Sequence, residues 1–222
     1  MFIWNNINSD DMDLITEKLP QISISIPKSE EIEVDGMDGH LTELGGYESD
    51  TKEVDAHYVG DDPYKICNWL RGSGEVIFGN DVNFYYKARI NNKIPLEQLV
   101  ANKLYYFPIM FRCQPFKYFI SGKKTLMVTT SGTILNNFGN YKALPIMMVY
   151  GSGNITITIN GRAFYISNLS GSITILSEIK EVTEDKGDLM EGDFPYFDIG
   201  KNIITWVGNI AKIEIIPNWR CL

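Results

Sequence analysis

Two histidines, His40 and His57, and three cysteines, Cys67, Cys113 and Cys221, set the limits of nucleophilic and metal chemistry in this sequence. The cysteines are odd in number and widely spaced, with no Cys-x-x-Cys pair for a metal or a redox couple, and read as three reduced thiols. His40 follows the turn-rich Asp35-Gly36-Met37-Asp38-Gly39 and His57 sits between Ala56 and Tyr58 in a strand-like run, so neither belongs to a metal-ligand spacing. Ser131, Ser152 and the other serines lack the Gly-x-Ser-x-Gly context of an activated nucleophile. Gly72-Ser73-Gly74 and Gly151-Ser152-Gly153 resemble phosphate loops only superficially. The first follows a helix and the second precedes a strand, whereas a phosphate cradle needs its glycines to lead into a helix N-terminus. Both read as turns.

Carboxylates cluster at Asp10, Asp11 and Asp13, at Glu30, Glu31, Glu33 and Asp35, at Asp61 and Asp62, and through Glu181 to Asp193. A glycosidase pair needs a defined separation that spacing in sequence does not supply, so these read as solvated acidic loops. Among the aromatic residues, Trp206 alternates with Thr205 and Val207 in a strand, which makes it the candidate stacking platform for a sugar. Core packing is the plainer role for any one tryptophan. No catalytic, cofactor-binding or metal-binding constellation emerges.

The chain that must position these groups has 222 residues, enough to bury a core without disulfide or metal. Its net charge of -8 argues against binding nucleic acid by phosphate neutralisation. No apolar run reaches the ~18 residues of a membrane helix. The first basic residue is Lys18, so no signal-peptide n-region is visible and synthesis and assembly in a cytosol are expected. Charge is unevenly placed. Residues 1–62 hold 16 acids and three bases, net -13, and residues 63–128 hold three acids and ten bases, net +7. The remainder, with nine acids and seven bases, is net -2 and shifts towards Ile, Thr, Gly and Ser. The polar Ser121-Gly122-Lys123-Lys124 is the natural linker between two domains, 1–124 and 125–222.

Strand patterns dominate both halves. Asn160-Gly161 is the preferred two-residue type I′ turn, which pairs Ile159 with Arg162, Ile157 with Phe164 and Ile155 with Ile166 on one face, and Thr158 with Ala163 and Thr156 with Tyr165 on the other. Further strands are expected at 172–177 after a Ser170-Gly171 turn, at 202–207, and at 211–216, where Ile213 and Ile215 alternate with Lys212 and Glu214. The first half offers Ile22, Ile24 and Ile26 alternating with Ser23 and Ser25, then 84–90 and 107–114. One helix starts with Asp62 as N-cap and Pro63 at N1 and stops at Gly72; a second is expected from Pro95 over 96–103. Short strands at this spacing indicate a mainly-β protein of sandwich or jelly-roll type.

Several segments, in order, resemble the distal tail protein family of long-tailed phages and prophages of Gram-positive hosts. They are Phe2-Ile-Trp-Asn-Asn-Ile-Asn-Ser-Asp-Asp-Met12 with the Val34 to Gly39 turn, Asn68-Trp-Leu-Arg-Gly-Ser-Gly-Glu-Val-Ile-Phe78, Tyr85-Tyr-Lys-Ala-Arg-Ile90 and Phe111-Arg-Cys-Gln-Pro-Phe-Lys-Tyr118. The closing half adds Tyr150-Gly-Ser-Gly-Asn-Ile-Thr-Ile-Thr-Ile-Asn-Gly161, Glu191-Gly-Asp-Phe-Pro195, Gly200-Lys-Asn-Ile-Ile-Thr-Trp206 and Ile213-Glu-Ile-Ile-Pro-Asn-Trp-Arg220. The resemblance implies an N-terminal β-sandwich-like belt domain that closes into a ring, usually of six subunits, and a C-terminal galectin-like β-sandwich facing outward. It implies a virion tail-tip location, with a tail tube protein and tail-tip or baseplate proteins (a tail-associated lysin or receptor-binding protein) as partners. DNA passes in transit, and no membrane, cofactor or enzymatic role is implied. Met37 departs from the arginine common in that turn, and the His, Asn, Arg and Trp set of sugar-binding galectins is missing. An acidic lumen lets DNA slide without sticking, so Asp10, Asp11 and Asp13 are expected to face the channel, and the basic 63–128 stretch to meet acidic surface of the same or a neighbouring subunit. The alternative is a carbohydrate-binding module that recognises host-wall glycans directly.

Overall fold

The computed structural model describes the backbone of residues 1–33, 40–183 and 185–222, and the side chains of the same residues except 30–33 and 40–44. The Val34 to Gly39 turn with Met37, and the side chain of His40, lie outside the described residues. The chain divides into two compact units, Met1–Lys117 with Leu222, and Tyr118–Cys221. Both are built of strands. The Ser121 to Lys124 stretch forms a 3-10 turn, Ile120–Lys123, in the second unit, where Gly122 is buried against the backbone of Trp219.

In the first unit β1 (Phe2–Trp4), β2 (Ile7–Asn8) and β3 (Leu14–Lys18) are followed by a separate hairpin of β4 (Pro27–Glu33) and β5 (His40–Tyr47). Then come β6 (Asp50–Val59), α1 (Pro63–Trp69), β7 (Ser73–Phe78), β8 (Phe84–Ile90), β9 (Glu97–Val100) and β10 (Leu104–Phe119). The main sheet runs β2-β1-β7-β8-β10-β6-β3, with β9 paired to β10. Its core is aromatic: Phe111 meets Phe2, Trp4 and Phe78 at centroid distances of 5.5, 5.4 and 5.7 Å. The helix begins as expected. Asp62 accepts a hydrogen bond from the Tyr64 N–H, Pro63 needs no donor at N1, and Gly72 lies just beyond at φ +79°. Burial of Ile66 and stacking of Trp69 on Phe2 dock this helix on the sheet.

Two expectations fail here. The helix expected from Pro95 is instead strand β9, closed against β10 by a turn with Asn102 at φ +53° and a Lys103 N–H to Val100 carbonyl bond. Cross-strand pairing with Tyr105 and Tyr106 overrides a four-residue helical preference. The alternating Ile22, Ile24 and Ile26 form no ladder, and their side chains are 59, 76 and 68% exposed. The serines between them turn inward: Ser23 donates to Asp50 and Ser25 to the Pro115 carbonyl. The pattern of alternation is thus real, with its polar side bonded to the unit and its apolar side open.

The second unit contains β11 (Leu126–Val128), β12 (Thr133–Asn137), β13 (Ile146–Ile159), β14 (Arg162–Leu176), β15 (Glu181–Val182), β16 (Met190–Glu191) and β17 (Gly200–Ile216). The sheet runs β11-β17-β13-β14-β15, with β12 paired to β17 and β16 to β14. The hairpin at Asn160 (φ +50°) and Gly161 (φ +81°) has the register read from the sequence, from Ile159 opposite Arg162 down to Ile155 opposite Ile166. The strands expected at 172–177, 202–207 and 211–216 are not separate. The first belongs to β14 and the other two to β17, each passing through a glycine bend rather than a turn.

Those bends make one sheet enclose one core. Met147 and Val149 before the bend of β13, and Ile155, Ile157 and Ile159 after it, join a single buried cluster with Phe164, Ile173, Ile204 and Ile213. Strands that turn a corner through bulges keep their ladder while changing direction. The register shifts fall at 150–156, facing Gly208 of β17. Gly208 holds φ +113°, and a Cβ there would meet the Asn154 carbonyl oxygen at 2.5 Å; one on Gly151 would collide with the Asn209 carbonyl. Gly208→Ala should therefore destabilise the second unit by about 2–4 kcal/mol, a fall in Tm of roughly 5–15 °C. Gly187→Ala, which meets nothing within 4 Å, should be neutral. Paired thermal melts check both.

Candidate assembly surfaces

The 3-10 turn Asp10–Met12 gathers the acidic residues of the N-terminal segment. Buried Ser9 locks its entry by accepting the Phe2 N–H at 3.0 Å and donating to Asp10 Oδ1 at 3.2 Å. Asp13 takes a left-handed conformation at φ +58°, its carbonyl accepts the Val59 N–H, and its carboxylate lies 3.5 Å from Lys65 Nζ on α1. Asp10, Asp11 and Asp13 are all exposed. Because Val59 ends β6, the following Asp61 and Asp62 are brought to the same end of the sheet, although Asp62 is engaged as the cap of α1. The sequence showed two acidic clusters far apart in the chain, and the fold puts them side by side.

At the other end of β6 the same sheet forms a cationic trough of about 580 Å³. Lys87, Arg89 and Arg112 line it together with Glu75, on the adjacent strands β7, β8 and β10. Arg112 donates to Thr51 Oγ1 at 3.1 Å, its cross-strand partner on β6, and Arg89 pairs in register with Ser73 and is exposed. Cys113 also lines the trough, but it is buried and burial pushes its thiol up to about 12, so it is not a nucleophile at neutral pH. No sequence motif marks this trough. Its residues are dispersed along the chain from Ser49 to Gln114 and only β-register assembles them.

Beside the trough, Lys52 is 4% exposed yet satisfied, donating to Asp50 Oδ2 at 3.1 Å, Ser23 Oγ at 3.0 Å and the Gln21 carbonyl at 3.3 Å. This ammonium pins the 21–26 segment to β6. Burial raises the Asp50 pKa, but hydrogen bonds from Ser23 and Lys52 and the Lys52 charge outweigh it, and the carboxyl is held below its ordinary 3.8.

In the second unit Trp206 lies on the core-facing side of β17, opposite Ile157, and packs half-buried against the core cluster. Its N–H bonds Ser131 Oγ at 2.9 Å, and Ser152 Oγ accepts from Asn209 at 2.8 Å, so both serines clamp backbone or side chains at strand ends and bends. The outward face carries Val207, Thr156 and Tyr165 in one cross-strand row, and Thr205, Thr158 and Ala163 in the next. Tyr165 is the exposed aromatic there, which the alternation of β14 could have indicated. A smaller cavity of about 210 Å³ is lined by Arg162, Asp193, Phe194 and Tyr196. Arg162 stacks 3.9 Å above the Tyr196 ring and bonds Asp198 at 2.8 Å. The Asp198 carboxyl is penalised by burial, yet bonds from Asn160 and Arg162 hold it below the usual range. His57 Nε2 pairs with Glu17 at 2.9 Å. Among the described residues no group of three His, Cys, Asp or Glu could hold a metal ion, and no helix is long and apolar enough to cross a membrane.

Compared with solved structures, the chain aligns over 96% of its length, and 97% of the other, with the crystal structure of the Dit protein (gp 19.1) of SPP1, described as a paradigm of the hub adsorption apparatus in phages infecting Gram-positive bacteria. The TM-score is 0.71 and the identity 13%. The chain has the Dit fold. It also aligns with a chain of the phage p2 baseplate in its activated conformation, with Sr (TM-score 0.50, 8% identity) and with Ca (TM-score 0.51, 9% identity), over 91% of this chain and 89% of that one. No protein-family model and no curated protein sequence matches the chain. At such identities the Dit fold is retained by pattern and packing rather than by particular side chains.

The Lys52 anchor predicts a pH response. A carboxyl whose folded pKa is depressed contributes stability above its unfolded pKa and loses it as pH falls through the folded value, so the Asp50 contribution is complete above about pH 5 and fades below 3.8. The protection of residues 21–26 against hydrogen exchange, relative to the intrinsic rate at each pH, should therefore fall in acid. Asp50→Ala, which leaves Lys52 without a carboxylate, should cost roughly 3 kcal/mol and raise that exchange already at neutral pH.

Proposed function

We propose that this protein is a phage tail hub: copies close into a ring, six in the family it resembles, that joins the tail tube to the tail tip or baseplate and leaves a central channel for DNA. The first unit is the ring-forming belt and the second a galectin-like sandwich that faces outward as a docking platform. The observation that carries this reading is a likeness to the SPP1 hub protein that extends over nearly the whole of both chains, both units included. Tail tube and tail-tip proteins are its partners, the virion tail tip its place, and its synthesis belongs to the host cytoplasm. A role in assembly rather than catalysis is supported by the fate of the polar groups, since Ser131, Ser152 and Asn209 are spent on holding bends. The net charge of -8 per copy suits a conduit that DNA must traverse without adhering.

A second reading, direct binding of a host-wall glycan, is favoured by the Arg162 and Tyr196 cavity, which offers a stacked aromatic, a guanidinium and a carboxylate in one place.

Negative-stain microscopy of the purified full chain, with its solution mass, should give annuli of several copies; single copies in solution together with no annulus in the native particle overturn the hub. On a glycan array the wild-type chain should show no saturable signal. A signal lost in Arg162→Ala, with Trp206→Ala as the comparison, establishes the glycan reading instead.

A further inference from the structure

The acidic turn and the cationic trough lie at opposite ends of β6, a strand of 10 residues. Val59, which bonds Asp13, and Thr51, which bonds Arg112, are eight residues apart on it, about 26 Å at about 3.3 Å per residue, well beyond the ~8 Å screening length of physiological salt. The Asp13 carbonyl holds the amide of Val59 at one end, and Arg112 reaches Thr51 at the other. Neither end can satisfy the other within one copy, because both are fixed to the same sheet.

We infer that the turn bearing Asp10 and Asp11 docks in the Lys87, Arg89 and Arg112 trough of the next copy of this chain, so that the ring closes head to tail through these two surfaces. The inference rests on the hub reading and names its contact. The charge is complementary. The turn brings Asp10 and Asp11 free of any ion pair among the described residues, while Asp13 is already taken up by Lys65. The trough brings three cations against Glu75, with Glu53 next along β6 beyond Thr51. Its volume of about 580 Å³ accommodates a short turn and its side chains. Two different surfaces on one subunit make a heterologous contact, which closes into a ring when the rotation permits. The turn is exposed and stiffened by Ser9, so it enters the contact already shaped. This places Asp10 and Asp11 between subunits rather than on the channel wall.

The geometry permits a swap experiment on the full chain. One variant carries Arg89→Glu and Arg112→Glu, the other Asp10→Lys and Asp11→Lys; all four residues lie on the surface or at its margin, and circular dichroism and thermal melts check that each variant folds. Each variant alone opposes like charges at every contact and should run as single copies at a salt concentration where the wild type is annular, with the ring population falling at least tenfold. Mixed in equal amounts, the two should recover annuli in which the copies alternate, since each trough then meets a turn of opposite sign. High salt should weaken the wild-type ring. Either variant alone forming wild-type rings, or a mixture that stays monomeric, overturns the contact while the wild-type annulus leaves the hub reading standing. A wild type with no annulus in solution or in the particle overturns both.

Discussion

A strand of fourteen to seventeen residues can serve both walls of one core only if it bends without giving up its ladder, and everything in the second unit depends on that. The bend brings backbone to within contact of backbone at Gly151 and Gly208, where no side chain fits. On either side of it the inward residues are Ile, Val, Phe and Met, so the two arms of each strand close on the same cluster. Burial of this apolar area supplies the driving force, and the glycines remove the steric cost of the geometry. A polar clamp finishes the structure at the hairpin tip: Asn202, fully buried, accepts from Asn160 and from the Asp198 N–H and donates to the Asp198 and Gly200 carbonyls. With its polar atoms satisfied, it holds the loop before β17 against the turn at Asn160.

The first unit solves a different problem. Its core is aromatic, and within its main sheet the strand β6 sets charged surfaces at fixed distances. At the trough end of β6, Lys52 shows how a cation can be buried at acceptable cost, with three acceptors around its ammonium and its Nζ 5.2 Å from the centre of the Tyr86 ring. The result is that acidic and basic surfaces stand at opposite ends of β6. The proposed contact uses this arrangement, since opposite charge on two surfaces of one chain is a simple physical route from a monomer to a closed ring.

Local signals were legible where the chemistry of a few neighbouring residues decides the backbone. Asn160-Gly161 demands two positive φ angles, and so the hairpin and its whole register followed; Asp62-Pro63 specifies a capped helix start, and so did α1. Legibility ended where a distant partner decides. The Pro95 segment has some helical preference, yet β10 offers a ladder and wins. Ser170-Gly171 and Gly208 resemble turns in isolation, because a glycine that bends a continuous strand and one that reverses the chain have the same local freedom. Trp206 alternates as a surface aromatic would, but the pleat of β17 turns it inward and leaves Tyr165 outside.

The amino-acid order alone determined the mainly-β class, the uneven distribution of charge and the type of each tight turn, since composition, periodicity and dipeptide sterics act over a few residues. Tertiary structure decided that Asp10 and Asp61 share one end of a sheet, that Lys87, Arg89 and Arg112 share a trough, and that Ile22, Ile24 and Ile26 stay open to solvent. Those facts depend on strand register between segments tens of residues apart, and register is settled by the packing of the whole core.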